Sequence, residues 1–147
     1  MIEGIGEEVV AATPEEALGW VLDLERYRQA DYKIGPVDWV RVDDGGALVR
    51  FRSRMMGMPG PKVTQRIDRT GTRLDVRTVE PKWMSRLLDF EGVIDCTPVE
   101  GGTNFFHREA FSFRGPARYL LEPLLRRWLA KDTAAEVRRL ADLIGRP

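Results

Sequence analysis

The chain is poor in the side chains that carry metal and redox chemistry. Its 147 residues include one cysteine, Cys96, and one histidine, His107. A single cysteine excludes an intramolecular disulfide. One histidine with one cysteine makes no His/Cys zinc cluster. The scattered acids form no compact ligand motif, and neither a metal nor a cofactor is expected. The three serines, Ser53, Ser85 and Ser112, stand in no nucleophile-elbow context. A phosphate-binding glycine loop and a dinucleotide fingerprint are both missing. No apolar run reaches 18 residues, so no integral membrane segment is expected. The N-terminal stretch lacks a basic region followed by an apolar one, which argues against a secretory signal. With the lone cysteine, this fits a cytoplasmic setting. Charge of one sign is not in excess either, with 23 Lys and Arg against 23 Asp and Glu. That balance offers no general attraction for nucleic acid. The pairs Arg126-Arg127 and Arg138-Arg139 read as solvated helix faces.

What is present suits one globular domain over residues 1–147. The composition is 43% hydrophobic and 31% charged, enough apolar surface for a core. Residues 5–12, "IGEEVVAA", read as a first strand. "TPEE" (13–16) is a helix entry: Thr13 caps, Pro14 takes the first position and Glu16 completes a capping box. Ala17, Leu18, Val21, Leu22 and Leu24 follow at helical spacing. A short second helix is expected over residues 25–30, with Trp20 and Tyr27 as packing residues.

The period then changes to two. Strands are expected at 37–42, 47–55, 62–68, 73–79 and 88–96, separated by turn signals such as "DDGG", "RTGT" and "VEGG". Residues 47–55 alternate cleanly. Ala47, Val49, Phe51, Ser53 and Met55 take one face, and Leu48, Arg50, Arg52 and Arg54 the other. The stretch "NFFHREAF" (104–111) follows as the last strand. Its inward face reads Phe105, His107, Glu109, Phe111. From about Pro116 to Ile144 the pattern is a long amphipathic helix using Leu120, Leu121, Leu124, Leu125, Trp128, Val137, Leu140 and Ile144. Pro123 is expected to kink or divide it. The fold class is therefore α+β: a curved antiparallel sheet of about seven strands gripping a long C-terminal helix, with two short helices after the first strand.

Three segments carry a family resemblance: "VVAATPEEALGWVLDLERY" (9–27), "VEGGTNFF" (99–106) and "YLLEPLLRRWLAKDTAAEVRRLADLI" (119–144). In that order and spacing the chain resembles the START-like helix-grip superfamily, of polyketide cyclase/dehydrase and lipid-transport type. The resemblance implies a cavity between sheet and helix that binds a hydrophobic or aromatic molecule. It carries over no single catalytic signature.

The expected function is binding of a small hydrophobic ligand, aromatic, polyketide-like or lipid-like. The candidate contacts are Phe51, Ser53, Gln65, Val76, Trp83, Phe90, Phe105, His107, Glu109, Tyr119, Leu124 and Trp128. Gln65, His107 and Glu109 would orient polar groups. An inward Glu is costly unless it is paired or hydrogen-bonded, so His107 and Glu109 equally fit a satisfied structural pair, or a strand end that reaches solvent. "MMGMPGP" (55–61) reads as an entrance lid or as a plain hairpin loop with Met56 or Met58 capping the core. Trp83 and Met84 either shield the mouth or pack. Two other functions stay open. One is a polyketide cyclase or dehydratase using His107 or Glu109 for proton transfer; the other is a quinone-binding or protein-partner module. A homodimer stays open as the assembly.

Overall fold

The computed structural model describes residues 1–147. The elements are β1 (Ile2–Val10), α1 (Pro14–Leu22), α2 (Leu24–Tyr27), β2 (Ile34–Asp43), β3 (Gly46–Met55) and β4 (Met58–Thr70). They continue with β5 (Arg73–Glu80), a 3₁₀ turn (Lys82–Arg86), β6 (Leu88–Val99), β7 (Gly102–Phe113) and α3 (Pro116–Ile144). All seven strands form one antiparallel sheet in the order β1-β7-β6-β5-β4-β3-β2. The expected helix-grip architecture is what forms.

Local chemistry accounts for the boundaries. The Thr13 side chain accepts from the Glu16 amide at 3.2 Å, and Pro14 opens α1. The second helix is shorter than expected and closes at Tyr27. The first strand begins three residues earlier than the sequence suggested, because Gly4 and Gly6 hide its alternation while holding inward positions with Ile2. The segment read as a loop at 55–61 is mostly strand. Met55 pairs with Met58 across a two-residue turn in which both Met56 (φ 53°) and Gly57 (φ 79°) have positive φ. Met56 and Met58 are exposed and cap no core.

The terminal helix runs unbroken through Pro123. Proline removes one amide there, leaving the Tyr119 carbonyl without its helical donor. Tyr119 lies on an exposed part of the helix, where water can satisfy that carbonyl. The buried stripe differs from the expected one. It runs through Glu122, Leu125, Leu129, Thr133, Glu136, Val137, Leu140 and Ala141, whereas Leu120, Leu121 and Leu124 face solvent.

The core is in two parts. The larger joins α1, α2, the inner faces of β3, β4, β6 and β7, and the C-terminal part of α3. The smaller holds Ile2, Phe111, Phe113, Leu125 and Leu129, with Met55, Leu88, Phe90 and Trp128 against it. Between them the inward faces of β7 and α3 turn polar, at His107, Glu109, Thr133 and Glu136. The helix comes close because β1 lacks side chains there. Gly4 and Gly6 pair with Glu109 and His107. A Cβ on Gly4 would fall 2.2 Å from Thr133 Oγ1 and 2.5 Å from the Leu129 carbonyl oxygen.

This contact makes a direct prediction. Gly4→Ala forces α3 outward and lowers unfolding free energy by about 1–3 kcal/mol. Gly19→Ala, on the open face of α1 with nothing within 4 Å, raises it by up to about 1 kcal/mol. Urea denaturation of the two variants checks both signs.

Candidate functional site

The concave face of the sheet, with α1, α2 and the segment before β2, surrounds a cavity of about 330 Å³. Its walls are mainly apolar. Phe51, Val63 and Ile67 come from β3 and β4, and Phe90, Ile94 and Phe111 from β6 and β7. Tyr27, Asp31, Lys33, His107 and Glu109 meet at one end of it. No α3 side chain lines the cavity. The helix instead backs its polar end, with Asp132, Thr133 and Glu136.

Lys33 is the centre of this group. Its Nζ lies 2.7 Å from Asp132, 2.9 Å from Asp31, 3.0 Å from Glu136 and 3.2 Å from Glu109. His107 turns Nδ1 to Glu136 at 2.9 Å and Nε2 toward Glu109 at 3.5 Å. The Tyr27 hydroxyl donates to the same Glu136 oxygen that faces His107. Thr133 Oγ1 donates to Glu109 at 3.1 Å. Tyr27 is therefore more than the packing residue expected of it.

Each protonation equilibrium follows from burial set against these partners. Burial pulls the His107 imidazolium down, but Glu136 and Glu109 outweigh it and hold the pKa up at about 9. Burial pushes the Glu109 carboxyl up to about 7, against the pull of Lys33. Burial also raises Asp31, and Glu136 adds to the rise. For Glu136 burial is overcome: Lys33 and His107 hold it well below the usual carboxylate range. Burial opposes the charge on Lys33 as well, yet Asp31, Glu109, Glu136 and Asp132 keep its pKa well above normal. Four carboxylates thus surround two cations, an excess of acid shut away from water.

Two sets of ligand atoms, His107/Glu109/Glu136 and Asp31/Asp132/Glu136, are close enough to share a metal ion. In both, Lys33 Nζ already contacts the carboxylates and supplies the positive charge an ion would bring.

Seven of the twelve candidate contacts line the cavity: Phe51, Ser53, Gln65, Val76, Phe90, His107 and Glu109. The solvated alternative for His107 and Glu109 is overturned. β7 pairs without a break on both sides, and the two residues are 4% and 1% exposed. Gln65 makes no side-chain hydrogen bond to Glu109 or to any other protein group. Ser53 donates to the Pro61 carbonyl at 2.7 Å.

Five residues lie off the cavity wall. Phe105 is fully buried in the larger core. Trp128 is half-buried against the smaller one. Trp83, Tyr119 and Leu124 are 54%, 78% and 64% exposed, too far into solvent to line an interior wall. The last two fall off the buried stripe of α3. Sequence reasoning passed over Asp31, Lys33, Asp132, Thr133 and Glu136. Helical phase was the available signal for three of these, since Asp132, Thr133 and Glu136 continue the line from Leu125 and Leu129.

The buried histidine gives a pH prediction. A pKa raised from 6.5 to about 9 adds stability below pH 6.5 and loses it as pH rises through 9. The wild type should lose about 2 kcal/mol between pH 6.5 and 8.5 by this route. Urea melts of His107→Gln across that range should show a correspondingly flatter profile. Equal slopes in the two proteins would exclude a charged His107.

Comparisons with known proteins agree with this geometry. No curated protein sequence matches the chain. Among solved structures, a protein from Thermus thermophilus superimposes with a TM-score of 0.78 at 16% identity, covering 97% of this chain and 96% of that one. A START superfamily protein from Mycobacterium smegmatis gives 0.76 at 14% identity, covering 97% and 96%. The Zhui aromatase/cyclase from a Streptomyces species gives 0.69 at 16% identity, covering 97% and 92%. At such identities the likeness is one of fold. Residues 5–145 match the sequence family described as polyketide cyclase / dehydrase and lipid transport. That match spans nearly the whole chain and includes every residue of the buried charge cluster, so the protein belongs to that family, with its START-like helix-grip fold.

Proposed function

We propose that the protein binds a small, largely apolar molecule whose neutral polar end sits against Gln65, Glu109 and the Lys33 group. One observation carries this reading: a cavity of about 330 Å³ whose apolar walls meet a single buried charge cluster. Burial of the ligand body supplies most of the affinity, at about 25 cal/mol per Å² of apolar surface. The polar end supplies orientation. Gln65 has donor and acceptor capacity that no protein group uses.

The cluster also selects by charge. Asp31, Glu109, Asp132 and Glu136 outnumber Lys33 and His107, and a protonated Glu109 still leaves acid in excess. A carboxylate buried here would meet net repulsion in a medium that screens little. A hydroxyl donor would be accepted. Calorimetric titration with 2-naphthol and 2-naphthoate as probes tests this. The neutral phenol is expected to bind at least about tenfold more tightly. Equal affinity, or a preference for the carboxylate, would contradict the charge argument. Binding of neither would count against the cavity as a ligand site.

A second reading is supported by Glu109. It lines the cavity with a pKa near 7, where a carboxyl can both accept and donate a proton. The Zhui neighbour is an aromatase/cyclase, and a cyclisation or dehydration would use such a group. Of the two residues proposed for proton transfer, Glu109 is better matched to neutral pH than His107, whose raised pKa keeps it charged. If the protein turns over a polyketide-like substrate, Glu109→Gln should lower kcat by about 10²-fold or more while the dissociation constant changes little. Unchanged turnover in that variant would remove Glu109 from the chemistry.

A further inference from the structure

We infer that the end of the molecule where α3 begins is a docking surface for an anionic lipid bilayer. Antiparallel pairing fixes what lies there. The Met55/Met58 turn closes β3 and β4, the 3₁₀ turn joins β5 to β6, and β7 runs into α3 at that same end. The Arg114 amide donates to the Leu87 carbonyl at 2.9 Å, and the N-terminal ammonium reaches Glu122 at 2.9 Å.

Exposed apolar side chains concentrate on these segments. Met58 is 68% exposed on the hairpin and Trp83 54% on the 3₁₀ turn, and Leu120 and Leu124 are 75% and 64% exposed on α3. They project from three separate pieces of chain. A fluid interface can accept separate protrusions of this kind, with the apolar groups at the level of the headgroups.

Charge supplies the complement. Segments 54–62, 82–89 and 114–127 carry eight basic residues and two acidic ones, which leaves the rest of this chain of zero net charge with an excess of acid. The two acids are occupied: Asp89 pairs with Arg114, and Glu122 with the N-terminus. Five of the bases, Arg54, Lys82, Arg86, Arg126 and Arg127, are exposed and make no ion pair. At the opposite end Glu15 and Asp43 pair with Arg69 and Arg66, while Glu16, Asp44 and Glu100 are exposed and make no ion pair. The molecule is therefore a charge dipole that an anionic surface orients with α3 foremost. A second copy docking through the same face would bring base against base. Met55, Gly60, Pro61, Met84 and Leu88 carry the cavity wall to this same end. A docked protein would thus present its interior to the bilayer.

Co-sedimentation of the intact protein with vesicles tests the surface without reference to the cavity's ligand. Vesicles of phosphatidylcholine with about a third phosphatidylserine should retain the protein at low salt, pure phosphatidylcholine should not, and salt should release it. Two variants touch only exposed positions: Leu120→Glu with Leu124→Glu, and Arg126→Glu with Arg127→Glu. Each should reduce partitioning by about tenfold or more with unchanged circular dichroism. No retention on the anionic vesicles, or retention unaffected by both variants, would overturn the inference. Self-association, or capture of an acidic protein, abolished by the same variants in the absence of vesicle binding would assign the surface elsewhere and overturn it equally.

Discussion

One ammonium group organises the interior. Lys33 Nζ touches Asp31 from its own segment, Glu109 from β7, and Asp132 and Glu136 from α3. Three parts of the chain far apart in sequence are held at one point. Taking these charges out of water is costly, and only close mutual contact repays it. The geometry is therefore demanding. Each carboxylate must stay near its cation, which sets how α3 lies against the last strand and where the loop before β2 passes.

The cavity follows from that arrangement. A polar band across β7 and α3 divides the apolar interior in two, with Phe105 and Val137 on one side and Phe111 and Leu129 on the other. The two parts cannot merge through a charged band, and the cavity wall draws residues from both. β1 allows the helix its close approach by presenting Gly4 and Gly6 where other strands present side chains. Thr133 then drops into contact and hydrogen-bonds Glu109. The same residues thus pack the helix and shape the end of the ligand space. Stability and binding share one set of groups, so pH should move them together.

Much of this was legible in the sequence, and the remainder for identifiable reasons was not. The alternation in 47–55 and 104–111 gave strands with the correct inward faces, and Thr13-Pro14 gave the helix start. His107 and Glu109 stood out because a period of two forces them inward. Their partners did not. Lys33 and Asp31 lie in an irregular segment, where no periodicity says which way a side chain points. Glu136 is a glutamate in a charged helix and reads as solvated unless its phase is counted from Leu129. The exposed leucines of α3 misled in the opposite way. Leu120 and Leu124 looked like core residues because apolar groups on a helix normally seek cover. Their exposure is itself informative, since nothing within the chain covers them.

The central claim is that the apolar cavity takes a ligand with its polar atom directed at the buried charge cluster. The most direct measurement is a high-resolution crystal structure of protein purified without stripping bound molecules or soaked with 2-naphthol. Density is expected between Phe51, Phe90 and Phe111, with a polar ligand atom within hydrogen-bond distance of Gln65 or Glu109. A ligand bound only on the outer surface, or a collapsed interior in which these side chains fill the space themselves, would contradict it.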